Sequence, residues 1–302
     1  MAPSTVSPRI AVIGTGIMGE PMAHHLLNAH GQLTVLSRTP RPALLKAGAT
    51  EAASACEIGQ SHDAALVMLP DLPQLRDLLD GETGLIAGLE ARPVGEAPLL
   101  LMIGSTASAT GIRALDAELR ELLPGTVSIV DTPVSGGEDG ALSGTLKIMV
   151  GGTEADARRA IDLLAPTGEG VHLGPLGAGQ VAKACNQLVV GATMFALGEA
   201  TVLAERSGLD VAAMWGLLAG GYSGSRLLDT RKDKLVSGDD APSGPIKYLL
   251  KDIGIGLDIA DATGTNAAML PVLERLLREV VEERGLGDRD LATTRRFVEE
   301  RS

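Results

Sequence analysis

Three groups of residues have the types and spacing to do chemistry. Lys183, Asn186 and Gln187 are separated by three and four residues, which puts them on one face of a helix. A lysine is seldom buried without a partner or a task, and desolvation lowers its pKa toward the range useful for proton transfer. Reduction of a carbonyl by hydride needs a proton at the developing alkoxide. Lys183 is suited to supply it, with Asn186 or Gln187 fixing the substrate. The alternative is a lysine that snorkels to the surface, since the helix start is only a turn away. Upstream, Ser135-Gly136-Gly137 offers a hydroxyl and two backbone amides, a nest for a carboxylate, although a plain loop has the same composition.

The third group is Gly14-Thr15-Gly16-Ile17-Met18-Gly19, a G-x-G-x-x-G run after an expected strand and before an expected helix. Gly14 permits the tight turn, Gly16 lets a pyrophosphate approach the backbone, and Gly19 lets helix and strand pack closely. The N–H groups opening the helix then face the phosphates. An NAD site places Asp or Glu at the end of the second strand, where this chain has Leu36-Ser37-Arg38-Thr39. Arg38 suits a 2′-phosphate, and Ser37 and Thr39 add donors, so NADP is expected, with NAD as the alternative if Arg38 is a solvated loop residue.

These residues need a scaffold of alternating strands and helices. Apolar runs at 9–13, 33–36, 64–69, 99–103, 127–130 and 146–150 read as strands. Helical spacing covers 18–29, 109–123 and 154–164. The alternation predicts an α/β fold, an N-terminal doubly wound Rossmann sheet with helices on both faces. Beyond residue 176 no strand pattern remains. Residues 178–207 read as one helix of roughly 45 Å, apolar nearly all round in its middle and so expected to be buried between other elements. Further helices are expected at 211–218, 245–262, 268–284 and 290–301. The expected domains are residues 1–176 for the dinucleotide and 177–302, all-helical, for substrate and oligomerisation, joined by the long helix.

Composition excludes several function classes. A net charge of −12 argues against nucleic acid or an anionic membrane as partner, and five aromatic residues leave little for base stacking. Cys56 and Cys185 are far apart, which excludes a disulfide framework or zinc spacing and fits a cytoplasmic protein. Cys185 reads as a packing residue. The opening MAPSTVSPRI lacks the basic and apolar regions of a leader, and no run of 18 apolar residues suggests a span. The five histidines are scattered, so no metal is expected.

Taken together, the motifs resemble the β-hydroxyacid dehydrogenase family. They occur in family order over nearly the whole chain: GTGIMGEPMAHHL at 14–26, MLPD at 68–71, GST at 104–106, DTPVSGGEDGALSGTLKIMVGG at 131–152, GAGQVAKACNQ at 177–187 and KD at 251–252. The resemblance implies that Lys183 is the catalytic lysine and that Ser135, Gly136 and Gly137 hold the substrate carboxylate. It places Thr106 near the nicotinamide, has Leu69 and Pro70 line the cofactor, and makes Lys251 close over it. It further implies a homodimer or homotetramer built through the long helix. Two positions depart from the pattern. Gln187 stands where many members have Asn, with Asn186 before it, and Gly244 stands where the family often has Phe. The second departure suggests room for a larger substrate.

The expected activity is interconversion of a small hydroxy acid and its aldehyde, of the tartronate semialdehyde, glyoxylate, succinic semialdehyde or 3-hydroxyisobutyrate type. An imine reductase on the same scaffold is the alternative, against which Lys183 argues because those enzymes usually replace the lysine. A non-catalytic NADP-binding protein is another, and it would need no buried base.

Overall fold

Short apolar runs buried on both faces make the strands of a parallel sheet, as in Ile10–Ile13 and Leu99–Ile103, whose residues are all buried. The computed structural model describes residues 7–301; the first six residues of the opening segment read for a leader lie outside them. The chain divides into two compact units, 1–183 and 184–302. The division falls inside the long helix, seven residues beyond the expected boundary.

The first unit holds β1 (Ile10–Ile13), α1 (Gly19–His30), β2 (Thr34–Leu36), α2 (Pro42–Lys46), β3 (Thr50–Glu51), α3 (Ala55–Ser61), β4 (Ala64–Val67), α4 (Leu72–Leu79), α5 (Leu85–Glu90), β5 (Leu99–Ile103) and α6 (Ala109–Leu122). It continues with β6 (Val127–Asp131), β7 (Val134–Ser135), α7 (Gly137–Ser143), β8 (Leu146–Gly151), α8 (Glu154–Leu164), β9 (Gly168–Gly174) and the start of α9 (Ala178–Arg206). The sheet order is β3-β2-β1-β4-β5-β6-β8-β7, with β9 beside β8. Strands β1 to β6 are parallel, whereas β8 runs antiparallel to β6 and β7. The order reverses between β1 and β4, where doubly wound sheets bind ligands beyond the carboxyl ends of their strands.

Alternate residues of each strand feed opposite layers. Ile10 and Val12 pack with Met22 and Leu26 of α1, while Ala11 and Ile13 pack with Ile58 of α3 and Ile112 of α6. At about 25 cal/mol per Å² such burial dominates the stability of the sheet.

The second unit is helical: the rest of α9, then α10 (Val211–Leu218), α11 (Arg226–Ser237), α12 (Lys247–Thr263), α13 (Leu270–Arg278) and α14 (Thr293–Glu300). Phe195 of α9 meets Phe297 of α14 edge-on, ring centroids 5.9 Å apart, among Ile253, Leu273 and Leu277. Trp215 buries its ring and donates to Thr201 Oγ1 at 3.0 Å. By length and composition α9 could cross a membrane, yet it carries Met194, Phe195 and Leu197 into these cores, as a core helix does.

Several expectations need correction. The long helix is not buried all round, since Val189 and Leu203 are exposed. Cys185 is likewise exposed and packs no core; neither cysteine forms a disulfide. The helix expected from 245 starts at Lys247, because Ile246 donates its N–H to Arg289 O and Pro245 bridges Asp290. The helix expected through 284 ends at Arg278 and continues as a π-turn over Glu279–Glu283.

Candidate active site

The phosphate loop follows from close packing. Gly14 has φ +89°, and a Cβ there would lie 2.6 Å from Met68 O. A Cβ at Gly19 would overlap the Gly14 carbonyl oxygen, so only glycine lets α1 start against the loop. At Gly16 a Cβ would meet nothing within 4 Å. The ridge is thus filled with backbone on the protein side and open on the outer side, the form that fits a pyrophosphate. Gly16 and Ile17 are exposed, and Met18 packs on the core beneath.

The other cofactor candidates of this unit lie beyond neighbouring strand ends. Ser37, Arg38 and Thr39 follow β2, Leu69 and Pro70 follow β4, and Thr106 follows β5. Arg38 is exposed, with Nη2 3.2 Å from Gln74 Oε1. Arg41 was missed in sequence. Its guanidinium donates to Thr15 Oγ1 at 3.2 Å and pairs with Glu20 at 3.2 Å, tying the segment after β2 to the glycine loop.

Ser135 ends β7, half-buried, with its backbone in register with Lys147. Gly136 and Gly137 both take positive φ, +135° and +63°, which turns the chain into α7 with exposed backbone.

Lys183 lies half-buried in the second turn of α9. The start of that helix is held by a carboxylate that spacing alone did not flag. Asp131, fully buried at the end of β6, accepts N–H bonds from Gly177 at 2.6 Å and Gln180 at 2.7 Å. Burial pushes its carboxyl above the usual range, while the two amides pull it back. Gln180, also missed, is fully buried; its side chain accepts from Ala107 N–H at 3.0 Å and donates to Ser105 O at 2.8 Å. Their signal in sequence was faint: a carboxylate and an amide at positions otherwise reading as apolar or small.

In the second unit the structure brings together Asn186, Gln187, Lys251 and Asp252. Asn186 Nδ2 donates to Gln187 Oε1 at 2.9 Å, and Gln187 Nε2 donates to Asp252 Oδ2 at 2.7 Å. Lys251 Nζ lies 3.5 Å from the other, buried oxygen of Asp252. Gln187, the departure from the family pattern, is thus held by the Asp of the KD pair. Gly244 precedes α12, and a Cβ there would come within 3.9 Å of Arg231 only. No group of three metal-ligating side chains occurs among the described residues.

Residues 9–177 match the model of the NAD-binding domain of 6-phosphogluconate dehydrogenase, and 177–298 match that of the NAD-binding region of NADP-dependent 3-hydroxyisobutyrate dehydrogenase. A 2-hydroxy-3-oxopropionate reductase of Escherichia coli (strain K12) is 33% identical over 85% of this chain and 86% of its own. An NAD-dependent L-serine dehydrogenase of Pseudomonas aeruginosa is 31% identical over 96% of this chain and 98% of its own. A solved Mycobacterium tuberculosis 3-hydroxyisobutyrate dehydrogenase with L-serine is 28% identical, covers 98% of this chain and 100% of its own, and superposes with a TM-score of 0.83. With both family models covering nearly all the chain, and a backbone-filled glycine ridge at the sheet's reversal point, the chain belongs to the β-hydroxyacid dehydrogenase family of NAD(P)-dependent oxidoreductases.

Proposed function

We propose that this enzyme interconverts a small β-hydroxy acid and its semialdehyde or aldehyde, with NADP preferred and Lys183 as the general acid and base. The observation that carries the reading is the placing of Lys183 on a helix whose first turn is bonded to the ends of β5 and β6, in the sheet that also bears the glycine ridge.

The nicotinamide, when bound, supplies or takes the hydride. Gly14, Gly16, Ile17, Met18 and Gly19 would hold the pyrophosphate; Leu69, Pro70 and Thr106, which follow β4 and β5, would line the cofactor. Ser135 and the amides at Gly136 and Gly137 bind the substrate carboxylate. Lys183 passes a proton to the forming alkoxide during reduction and takes it back during oxidation. Asn186 and Gln187 bind the reacting oxygen or a neighbouring hydroxyl, and Lys251 closes on the cofactor. The preference for NADP is supported by Arg38 and by the lack of a carboxylate at 36–39.

The open position at Gly244 supports substrates longer than three carbons. The exposed apolar side chains Val189 and Leu203 on α9 support a homodimer or homotetramer through that helix. Two unbridged cysteines support a cytoplasmic setting.

The test is a spectrophotometric assay with NADPH and NADH against glyoxylate, tartronate semialdehyde, succinic semialdehyde and methylmalonate semialdehyde, with the hydroxy acids run in reverse. Turnover faster with NADPH is expected. Lys183→Ala should lower turnover by about 100-fold or more while sparing cofactor binding. Near-normal turnover in that variant removes the role given to Lys183.

A further inference from the structure

Gln180 sits three residues, just under one turn, before Lys183, in the first turn of α9, and makes bonds in three directions. Its N–H donates to Asp131 Oδ2 at 2.7 Å. Its side chain accepts the Ala107 N–H at 3.0 Å and donates to Ser105 O at 2.8 Å. Those two backbone groups flank Thr106. Ser105 Oγ in turn accepts the Leu69 N–H at 2.9 Å. Gln180, Asp131, Ser105 and Ala107 are all buried. One amide therefore links the helix of Lys183 to the segments that carry Thr106 and Leu69. A carboxamide suits the task because it accepts at one atom and donates at the other while remaining neutral.

We propose that Gln180 is a positioning residue that sets the distance between Lys183 and the Thr106 segment. The proton and the hydride must reach adjacent atoms of one carbonyl, and a displacement near 1 Å costs about 100-fold in rate. Gln180 is fully buried with both side-chain polar atoms on backbone groups, so it acts through the two segments it joins. The inference rests on the dehydrogenase reading given above.

Gln180→Glu tests it. A neutral Glu side chain keeps both bonds, its O–H donating to Ser105 O and its C=O accepting from Ala107. Ionised, it loses the donor and faces a carbonyl oxygen. Burial raises the pKa of such a carboxyl, which brings the switch into the assayable range. Relative to the unmodified enzyme, kcat should be within about 3-fold at about pH 5.5 and at least about 10-fold lower at about pH 8, with NADPH affinity little changed. Protection of the Ala107 amide, relative to the unmodified enzyme at the same pH, should fall over the same interval. Gln180→Met, which loses both bonds, should lower kcat by about 10- to 100-fold at every pH.

A flat kcat ratio in Gln180→Glu across an interval in which infrared titration shows the new carboxyl ionising overturns the proposal, as does a loss confined to thermal stability. If Gln180→Met fails to fold, the pH dependence of the glutamate variant still decides. If the unmodified enzyme turns over no aldehyde, the dehydrogenase reading fails. Ala107 exchange then separately shows whether Gln180 holds the loop, and pH-independent protection overturns that too.

Discussion

Gly16→Ala separates what the glycine ridge does for the fold from what it does for the cofactor. The backbone at Gly16 avoids positive φ, and a Cβ there has nothing within 4 Å. On stability alone the change should be neutral or favourable by about 0.4–1 kcal/mol, because alanine restricts the unfolded chain. At roughly 2–4 °C per kcal/mol, Tm should stay or rise by about 1–4 °C. Binding should behave oppositely. The methyl projects into the space where a pyrophosphate meets the backbone and holds it about 1 Å away, beyond hydrogen-bond range. Losing one charge-assisted bond costs about 1.5–3 kcal/mol, or about 10- to 150-fold in NADPH Kd.

Gly14→Ala is the contrast. With φ at +89° and a Cβ 2.6 Å from Met68 O, against an ordinary contact of 3.4 Å, that variant must both strain and shift its backbone. The left-handed conformation and the overpacking together cost about 3 kcal/mol, near 10 °C in Tm. Calorimetry and NADPH fluorescence titration read the two quantities. A Gly16→Ala protein that binds NADPH as tightly as the parent would refute the placing of the pyrophosphate on this ridge. A Gly14→Ala protein with unchanged Tm would refute the packing argument.

Two further outcomes concern cofactor choice and pH. If Arg38 grips the 2′-phosphate as proposed, Arg38→Ala should weaken NADPH about 10-fold or more and leave NADH within about 2-fold, since only NADPH carries that charge; equal losses in parallel titrations would make Arg38 structural. His62 is buried between Thr34 Oγ1 at 2.8 Å and Ser61 Oγ at 3.1 Å, and burial holds its pKa below the ordinary value. The folded state then stays neutral where the unfolded chain, with its pKa near 6.5, takes a proton. Stability is therefore complete above that pH and is lost as pH falls from about 6.5 toward the lower folded value. His62→Gln should flatten the Tm-against-pH slope in this window; an unchanged slope would assign it to other groups.

Local chemistry was legible where one short stretch dictates its own shape. The runs Leu99–Ile103 and Glu154–Leu164 form the strand and helix read from their apolar spacing, because burial on both faces or on one stripe imposes that spacing. The glycine ridge was legible for the same reason, Gly14 and Gly19 answering to contacts within a few residues or with the segment after the adjacent strand, while Gly16 leaves its outer side open. Polar or glycine-rich elements were not. Helix Arg226–Ser237 is largely charged, β9 reads Gly-Glu-Gly-Val-His-Leu-Gly, and β7 is two residues long. Their conformations are imposed by neighbours, by Ser225 capping the helix and by β8 pairing with both strands.

By itself the sequence determined that the chain would build a doubly wound sheet with a dinucleotide loop, that helices alone would follow, and that Lys183 would share a helix face with Asn186 and Gln187. Only the tertiary structure decided how that helix is fastened. Asp131 lies 46 residues before Gly177, and Ser105 lies 75 before Gln180. Bonds between residues so far apart leave no periodicity to read. They exist because a buried helix start and a buried loop must each satisfy their backbone groups, and folding brings one carboxylate and one amide within reach of both.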